Sequence, residues 1–203
     1  AGSRIMTTER LILREMRQAG FAAPAEILQD PAVMYACGHT FTAEEVQAWL
    51  DRQKSRYRQY GFGLQAIQLK ASGRMIGQAG LTMQAYRDTQ APEIGYLLKK
   101  RFWHRGYAVE TAAACRQYAF AHLHAERVFS IIRPGNAPSV RVAESIGMQK
   151  ADELTAQYDH GPMRHALYSV RNPDIGIPFI RPVPNAPRVF RSGKPAGNTG
   201  KGP

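Results

Sequence analysis

The stretch Glu93–Glu110, EIGYLLKKRFWHRGYAVE, gathers residue types that handle anions. An apolar run leads into Lys99, Lys100 and Arg101, and Arg105 and Gly106 then stand before the start of a long helical pattern. A helix start aims several unbonded backbone amides and the positive end of the helix dipole at one spot. A glycine there lets the chain come close to a ligand, and the flanking cations add charge. A pyrophosphate is the natural occupant of such a cradle. The same residues also suit an ordinary strand-to-helix connection with a solvated charge run. Further along, Asn136 and Ser139 stand at the start of another helical pattern, where on their own they read as a turn residue and a first-turn polar residue.

The elements that must position these residues follow from periodicity. Arg10–Glu15 reads as a first strand with Leu11 and Leu13 on one face, and a helix is expected from about Gln18 to Gln29, ended by Asp30-Pro31. Thr42 and Glu45 form a capping box for a second helix, whose apolar stripe is Val46, Trp49, Leu50 and Tyr57 and whose end is Tyr60-Gly61. Three strand-like runs follow, Phe62–Leu69, Met75–Thr82 and Glu93–Leu98, with Ser72-Gly73 as a tight turn and Met83–Pro92 as a longer polar connection. Ala108, Ala112, Cys115, Ala119 and Leu123 mark the third helix; Arg127–Ile132 is a fifth strand; Pro138–Ile146 is a short helix stopped by Gly147. Two last strands are expected around Lys150–Thr155 and His165–Val170. The order β-α-α-β-β-β-α-β-α-β-β predicts an α/β fold, a mixed sheet of about seven strands with helices on both faces.

The chain of 203 residues fits one domain with a tail. The reading divides it into an N-terminal extension at 1–6, a folded domain at 7–170 and a basic tail rich in proline and glycine at 171–203. Arg171, Arg181, Arg188, Arg191, Lys194 and Lys201 face Asp174 alone in that tail, within a formal net charge of +11. Such a balance suits an acidic partner, whether nucleic acid, a ribosome surface or a phosphate-rich cofactor, and equally a charge that only solubilises. No apolar run is long enough to cross a membrane, and the first residues show no charged stretch followed by an apolar core. Cys37 and Cys115 lack metal-ligand spacing and read as reduced, buried thiols in a cytoplasmic protein.

Arg105-Gly-Tyr-Ala108 with Glu110, after Ile94-Gly-Tyr-Leu-Leu98, resembles the first cofactor motif of the GNAT acetyltransferases, in particular the branch of the RimJ/RimL-type ribosomal-protein N-acetyltransferases. Thr8-Glu-Arg-Leu-Ile-Leu-Arg14, Asp30-Pro-Ala-Val-Met34, Phe41-Thr-Ala-Glu-Glu45, Asn136-Ala-Pro-Ser139 and Ile146-Gly-Met148 resemble further marks of that branch, in order, over about Thr7 to Val170. The resemblance implies a mostly antiparallel sheet whose fourth and fifth strands splay around acetyl-CoA. It implies that Leu97 and Leu98 offer backbone groups to the pantetheine and acetyl carbonyl, where an oriented donor stabilises developing charge. Arg101, Arg105, Gly106, Tyr107, Ala108 and Val109 would hold the pyrophosphate, and Asn136 and Ser139 would face the cofactor. His104 reads as a phosphate contact or a loop prop rather than a metal ligand, and no metal is expected, because no second His or Cys stands at ligand spacing.

The reaction implied is transfer of an acetyl group to a primary amine, of a protein N-terminus, ribosomal or other, or of a small molecule. Glu93 is the candidate base, directly or through water, or else a carboxylate that binds the cationic amine. Many GNAT enzymes carry a tyrosine in the last helix where this chain has Ala143, so Ser139 or Tyr158 is left as general acid. Tyr35, His39, Phe41, Trp49, Tyr158, Asp159, His160 and Arg164 are expected around the acceptor. The Ala143 departure keeps open a CoA-binding module with weak catalysis, and the basic tail a nucleic-acid-binding protein. Monomer and homodimer both remain compatible with the sequence.

Overall fold

Leu11 and Leu13 are fully buried while Ile12 and Arg14 are only partly so, which makes this short run a strand with one face in the core. The protein is described by a computed structural model over residues 4–34, 39–158, 161–175 and 189–190. Its strands are β1 (Arg4–Thr7), β2 (Leu11–Arg14), β3 (Leu64–Leu69), β4 (Met75–Tyr86), β5 (Thr89–Leu98), β6 (Arg127–Ile132), β7 (Gln149–Tyr158), β8 (Gly161–Arg171) and β9 (Val189–Phe190). Its helices are α1 (Ala22–Leu28), α2 (Pro31–Met34), α3 (Ala43–Tyr60), α4 (Tyr107–Ala121) and α5 (Ala137–Ser145). The strands join one sheet in the order β1-β2-β3-β4-β5-β6-β8-β7-β9. Pairing is antiparallel except for β5 with β6 and β7 with β9.

α3 starts and stops as its sequence requires. The Thr42 hydroxyl accepts from the Glu45 amide at 3.2 Å, the Glu45 carboxylate accepts from the Thr42 amide at 3.3 Å, and Gly61 closes the helix in the left-handed region at φ 78°. Three sequence expectations need correction. The run Met83–Pro92 is no loose connection: β4 and β5 continue to a two-residue turn, with Tyr86 opposite Thr89. No glycine marks that turn. Arg87 takes the left-handed conformation (φ 55°) and is held by an ion pair to Asp152 at 2.8 Å. The sheet is also wider than seven strands, because Arg4–Thr7 pairs with β2 and Val189–Phe190 with β7. Finally, Asp30-Pro31 opens a helix as well as ending one, since the Asp30 carboxylate accepts from the Ala32 amide at 2.9 Å.

Alternation along the strands sorts the core into two faces. Ile67, Ala79, Leu81, Ile94, Tyr96 and Leu98 pack under α4 and α5 together with Ala112, Cys115, Ala119 and Val142. Leu64, Ala66 and Leu97 pack on the other face against Ile27, Val33, Val46, Trp49 and Leu50 from α1, α2 and α3. Cys115 is wholly buried, and burial pushes its thiol pKa up to about 12. Cys37 lies outside the described residues. Beyond β8, Asn172 is still attached to the body, donating from its side chain to the Ala125 carbonyl at 3.1 Å. Among the described residues no helix is long and apolar enough to cross a membrane.

Candidate functional site

The central strands part just where the anion-handling stretch begins. β5 and β6 share a single register pair, Glu93 with Phe129, and the Ser130 hydroxyl then donates to the Ile94 carbonyl at 3.2 Å. β5 runs on to Leu98, leaving a gap between the two strands. Backbone alternation decides which groups face it. Glu93, Gly95 and Leu97 lie in register with Thr82, Gly80 and Gln78 of β4, and the Lys99 amide donates to the Ile76 carbonyl at 2.9 Å. The backbone of Tyr96 and Leu98 therefore points away from β4, into the gap. This corrects the expectation for Leu97, whose backbone serves β4 and whose side chain lies in the core beneath α3. The Leu98 carbonyl is taken by the Trp103 indole N–H at 2.9 Å, so Leu98 offers its amide.

Below the gap, a cavity of about 180 Å³ opens at the start of α4. Leu98, His104, Gly106, Tyr107, Ala108 and Val109 line it, as does α5 through Pro138, Arg141 and Ser145. The first helical bond of α4 runs from the Glu110 amide to the Gly106 carbonyl, so the amides of Tyr107, Ala108 and Val109 have no acceptor within the helix. Gly106 sits at φ 79°, a conformation that disfavours any other residue. Arg101 and Arg105 bring their guanidiniums to 5.3 and 5.8 Å from the Phe102 ring. Lys99 is corrected: it turns to the other face and pairs with Glu26 at 2.7 Å, a bond that holds the Glu26 carboxyl below its usual range. Arg141 is a cation of this cavity that the sequence reading missed.

A clasp from the turn between β1 and β2 fixes this loop. Arg10 donates to Glu110 at 2.7 Å and to the Arg105 carbonyl at 3.0 Å, and its guanidinium lies 4.2 Å from the Tyr107 ring centre. The Thr8 hydroxyl donates to the other Glu110 oxygen at 2.5 Å. Burial raises the Glu110 pKa, but these bonds outweigh it and the carboxyl ends below its usual value. The Thr8-Glu-Arg10 mark of the sequence thus helps hold the loop before α4, reaching across about a hundred residues of chain.

At the other side of the gap, the Asn136 side chain caps α5 by accepting from the Ser139 amide at 3.3 Å. Ser139 is buried, and the Tyr96 hydroxyl donates to its oxygen at 3.4 Å, a weak link that spans the gap. Burial pushes the Tyr96 pKa up to about 12, with Ser139 opposing it. Tyr96 is a second residue missed from sequence, where it reads as an apolar strand position. Tyr158 ends β7 opposite Gly161, and its side chain lies outside the described residues.

Glu93 shares the α3 face with Leu97 and is 2% exposed. Thr82, also buried, is its partner on β4, and burial lowers the pKa of Arg56 of α3, which stands close enough for the Glu93 carboxylate to oppose that fall. Among the described residues, the expected acceptor-lining side chains do not gather here. Trp49 and Phe41 belong to the core, with the His39 ring stacked on Phe41 at 5.2 Å. Arg164 pairs with Glu153. Tyr35, Asp159 and His160 lie outside the described residues. Gln53, Gln78, Arg52 and Arg56 occupy this face instead. Their signal in the sequence is Gln53 at a position of the apolar stripe of α3. Among the described residues no group of His, Cys, Asp and Glu is arranged to hold a metal ion.

Residues 10–149 match the model of the acetyltransferase (GNAT) domain. The uncharacterized protein YkkB of Bacillus subtilis (strain 168) is 33% identical over 144 residues, which span 70% of this chain and 84% of that one. The crystal structure of an acetyltransferase from Agrobacterium tumefaciens str. C58 superposes with a TM-score of 0.69 at 29% identity, covering 82% of this chain and 93% of its own. A ribosomal-protein-S5-alanine acetyltransferase from Vibrio fischeri reaches a TM-score of 0.67 at 17% identity, covering 83% and 97%, and at that distance shows a shared fold alone.

Proposed function

Because this chain belongs to the GNAT acetyltransferases, we propose that it transfers an acetyl group to a primary amine by direct attack, with donor and acceptor bound together. It is an acyltransferase and its donor is acetyl-CoA, which supplies the activated thioester. The residues present fit that group. A diphosphate suits the unbonded first-turn amides of α4 with Arg101, Arg105 and Arg141 nearby, and an extended arm suits the strand gap. The amide of Tyr96 or Leu98 supplies a donor where negative charge develops on the carbonyl.

The observation that carries the reading is Glu93. It is a buried carboxylate at the point where β5 and β6 separate, on the face opposite the cavity at α4. Two ligands entering from the two faces meet there. Glu93 takes the proton of the amine, directly or through water. Ser139, linked to Tyr96, is the hydroxyl on hand to protonate the departing sulfur, and the Tyr96 link orients it. The acceptor is either a small amine or a protein N-terminus, ribosomal or other, and a shared fold does not choose between them.

The test pairs calorimetry of acetyl-CoA with release of CoA thiol across a panel of amines and N-terminal peptides. The wild type is expected to bind acetyl-CoA and to release thiol with at least one amine. Glu93→Gln should keep acetyl-CoA affinity within about twofold and lower thiol release by roughly 100-fold or more. Binding without thiol release for every amine would overturn the reading in favour of a CoA-binding module.

A further inference from the structure

The α3 face of the sheet holds charges that acetyl transfer itself leaves unused. Arg52 and Arg56 stand four residues apart on α3, so both guanidiniums lie on one side of the helix. Both are half-buried, and burial lowers the pKa of each; Arg52 lowers that of Arg56 further, while Glu93 raises it. Among the described residues neither arginine has a carboxylate at ion-pair distance. Arg56 donates to the Gln53 side-chain oxygen at 3.2 Å, and the Arg52 Nε is buried without an acceptor.

The surroundings repeat this pattern. Gln53 is fully buried with its amide nitrogen unbonded, and Gln78 is 1% exposed with neither side-chain atom bonded. Gln65 and Thr111, on the α4 side of the sheet, are the other neutral side chains so placed among the described residues. Gly80 and Gly95 pair between the Gln78 and Glu93 positions, so this part of the sheet carries no side chains. Buried polar groups in native proteins are nearly all bonded, so a cluster of unmet ones marks a place where water or a polar ligand is received. Two guanidiniums and two carboxamides are satisfied together by a group with several acceptor oxygens.

We propose that the acceptor carries, besides its primary amine, a carboxylate or phosphate that Arg52 and Arg56 bind while the amine faces Glu93. This deepens the amine-transfer reading and rests on it. The site takes small amines with one anionic group. A polyamine is disfavoured, because its second ammonium would meet two unneutralised guanidiniums with one carboxylate to share.

The experiment compares wild-type kcat/KM for matched pairs: β-alanine against its amide, and O-phosphoethanolamine against ethanolamine, with spermidine as the opposite charge. The carboxylate and phosphate arms separate the two anions. The anionic member of at least one pair is expected to be favoured by about tenfold or more, mainly through KM. In Arg52→Gln and Arg56→Gln that ratio should fall toward one. Equal use of both members in each pair, or a preference for spermidine, would overturn the proposal, and the wild-type comparison does not depend on either variant folding. A second measurement avoids turnover: calorimetry of inorganic phosphate and of N-acetyl-β-alanine against CoA-saturated protein. Binding that is lost in Arg52→Gln supports the anion site even where no amine releases thiol, in which case amine transfer alone falls. No binding of either probe at about 10 mM, in a protein that turns over amines without an anionic preference, overturns it.

Discussion

The two sides of the central gap are built on opposite principles. On the α4 side, Thr8, Arg10, Arg105 and Glu110 close a set of bonds of 2.5 to 3.0 Å around the loop before any ligand arrives. On the α3 side, the half-buried Arg52 and the buried Gln53 and Gln78 hold polar atoms, shut off from solvent, that bond to nothing among the described residues. The first arrangement is preorganised, so little ordering cost remains when an anion binds. The second gives up stability in the free protein and recovers it on binding. On the proposed reading, the difference teaches that a donor common to a family is met by a finished cradle, whereas the acceptor side keeps unmet groups for the partner that satisfies them.

Gly106→Glu strikes the finished side hardest. A side chain at φ 79° is strained, its Cβ would stand 3.4 Å from the Arg10 guanidinium, and the added carboxylate would bring negative charge to the rim of the cavity, so acetyl-CoA affinity should fall by roughly 100-fold or more in calorimetry. A smaller fall, under about threefold, would show that the cavity at α4 is not the phosphate cradle.

Glu110→Gln sharpens the contrast by loosening the clasp without touching the cavity wall. We expect about 1 kcal/mol of lost stability and a several-fold weaker acetyl-CoA affinity. The pH dependence has a definite sign. The folded Glu110 carboxyl lies below its unfolded value, so its stabilisation is complete above the unfolded value of about 4.3 and is lost as pH falls through the folded one. Acid titration of thermal stability should therefore be less steep below about pH 4.5 in the variant than in the wild type.

Gln78→Leu has the smallest expected effect, and the opposite sign. Replacing an unbonded buried amide by an apolar side chain of similar size should leave stability unchanged or raise it by up to about 1 kcal/mol, while acceptor KM rises. A destabilised Gln78→Leu protein would mean that this amide already has a structural partner, and the contrast between the two sides would break.

What the sequence disclosed follows the same division. The capping box of α3, the limits of β6 and the loop before α4 are local features, each contained in a few consecutive residues, and each was readable. The hairpin at Arg87 was hidden because an arginine, held by Asp152 from another strand, occupies the conformation that usually advertises itself as glycine. β1 and β9 are too short to carry a pattern. Glu110 was recognisable as part of a motif, but its reason, the bond to Arg10, joins residues a hundred apart. Leu97 was misassigned because strand alternation is set by register with β4, which the sequence does not print. The acceptor side was the least legible: Glu93 stands out in the sequence as a candidate base, but Gln53 and Gln78 come from two other elements and look like surface polar residues until packing turns them inward.

The parting of β5 from β6 also gives the sheet an edge in its interior. Edge strands expose backbone groups that invite pairing with another chain. Here the exposed stretch is short: the Leu98 carbonyl is covered by Trp103, and Ser130 ties the strands up to Ile94. The amides of β5 should accordingly exchange with solvent in alternation, those of Gly95 and Leu97 protected by β4 and those of Tyr96 and Leu98 less so. A ligand lying along the gap does the work of a missing strand, and it would smooth that alternation from the inside of the molecule rather than from its rim.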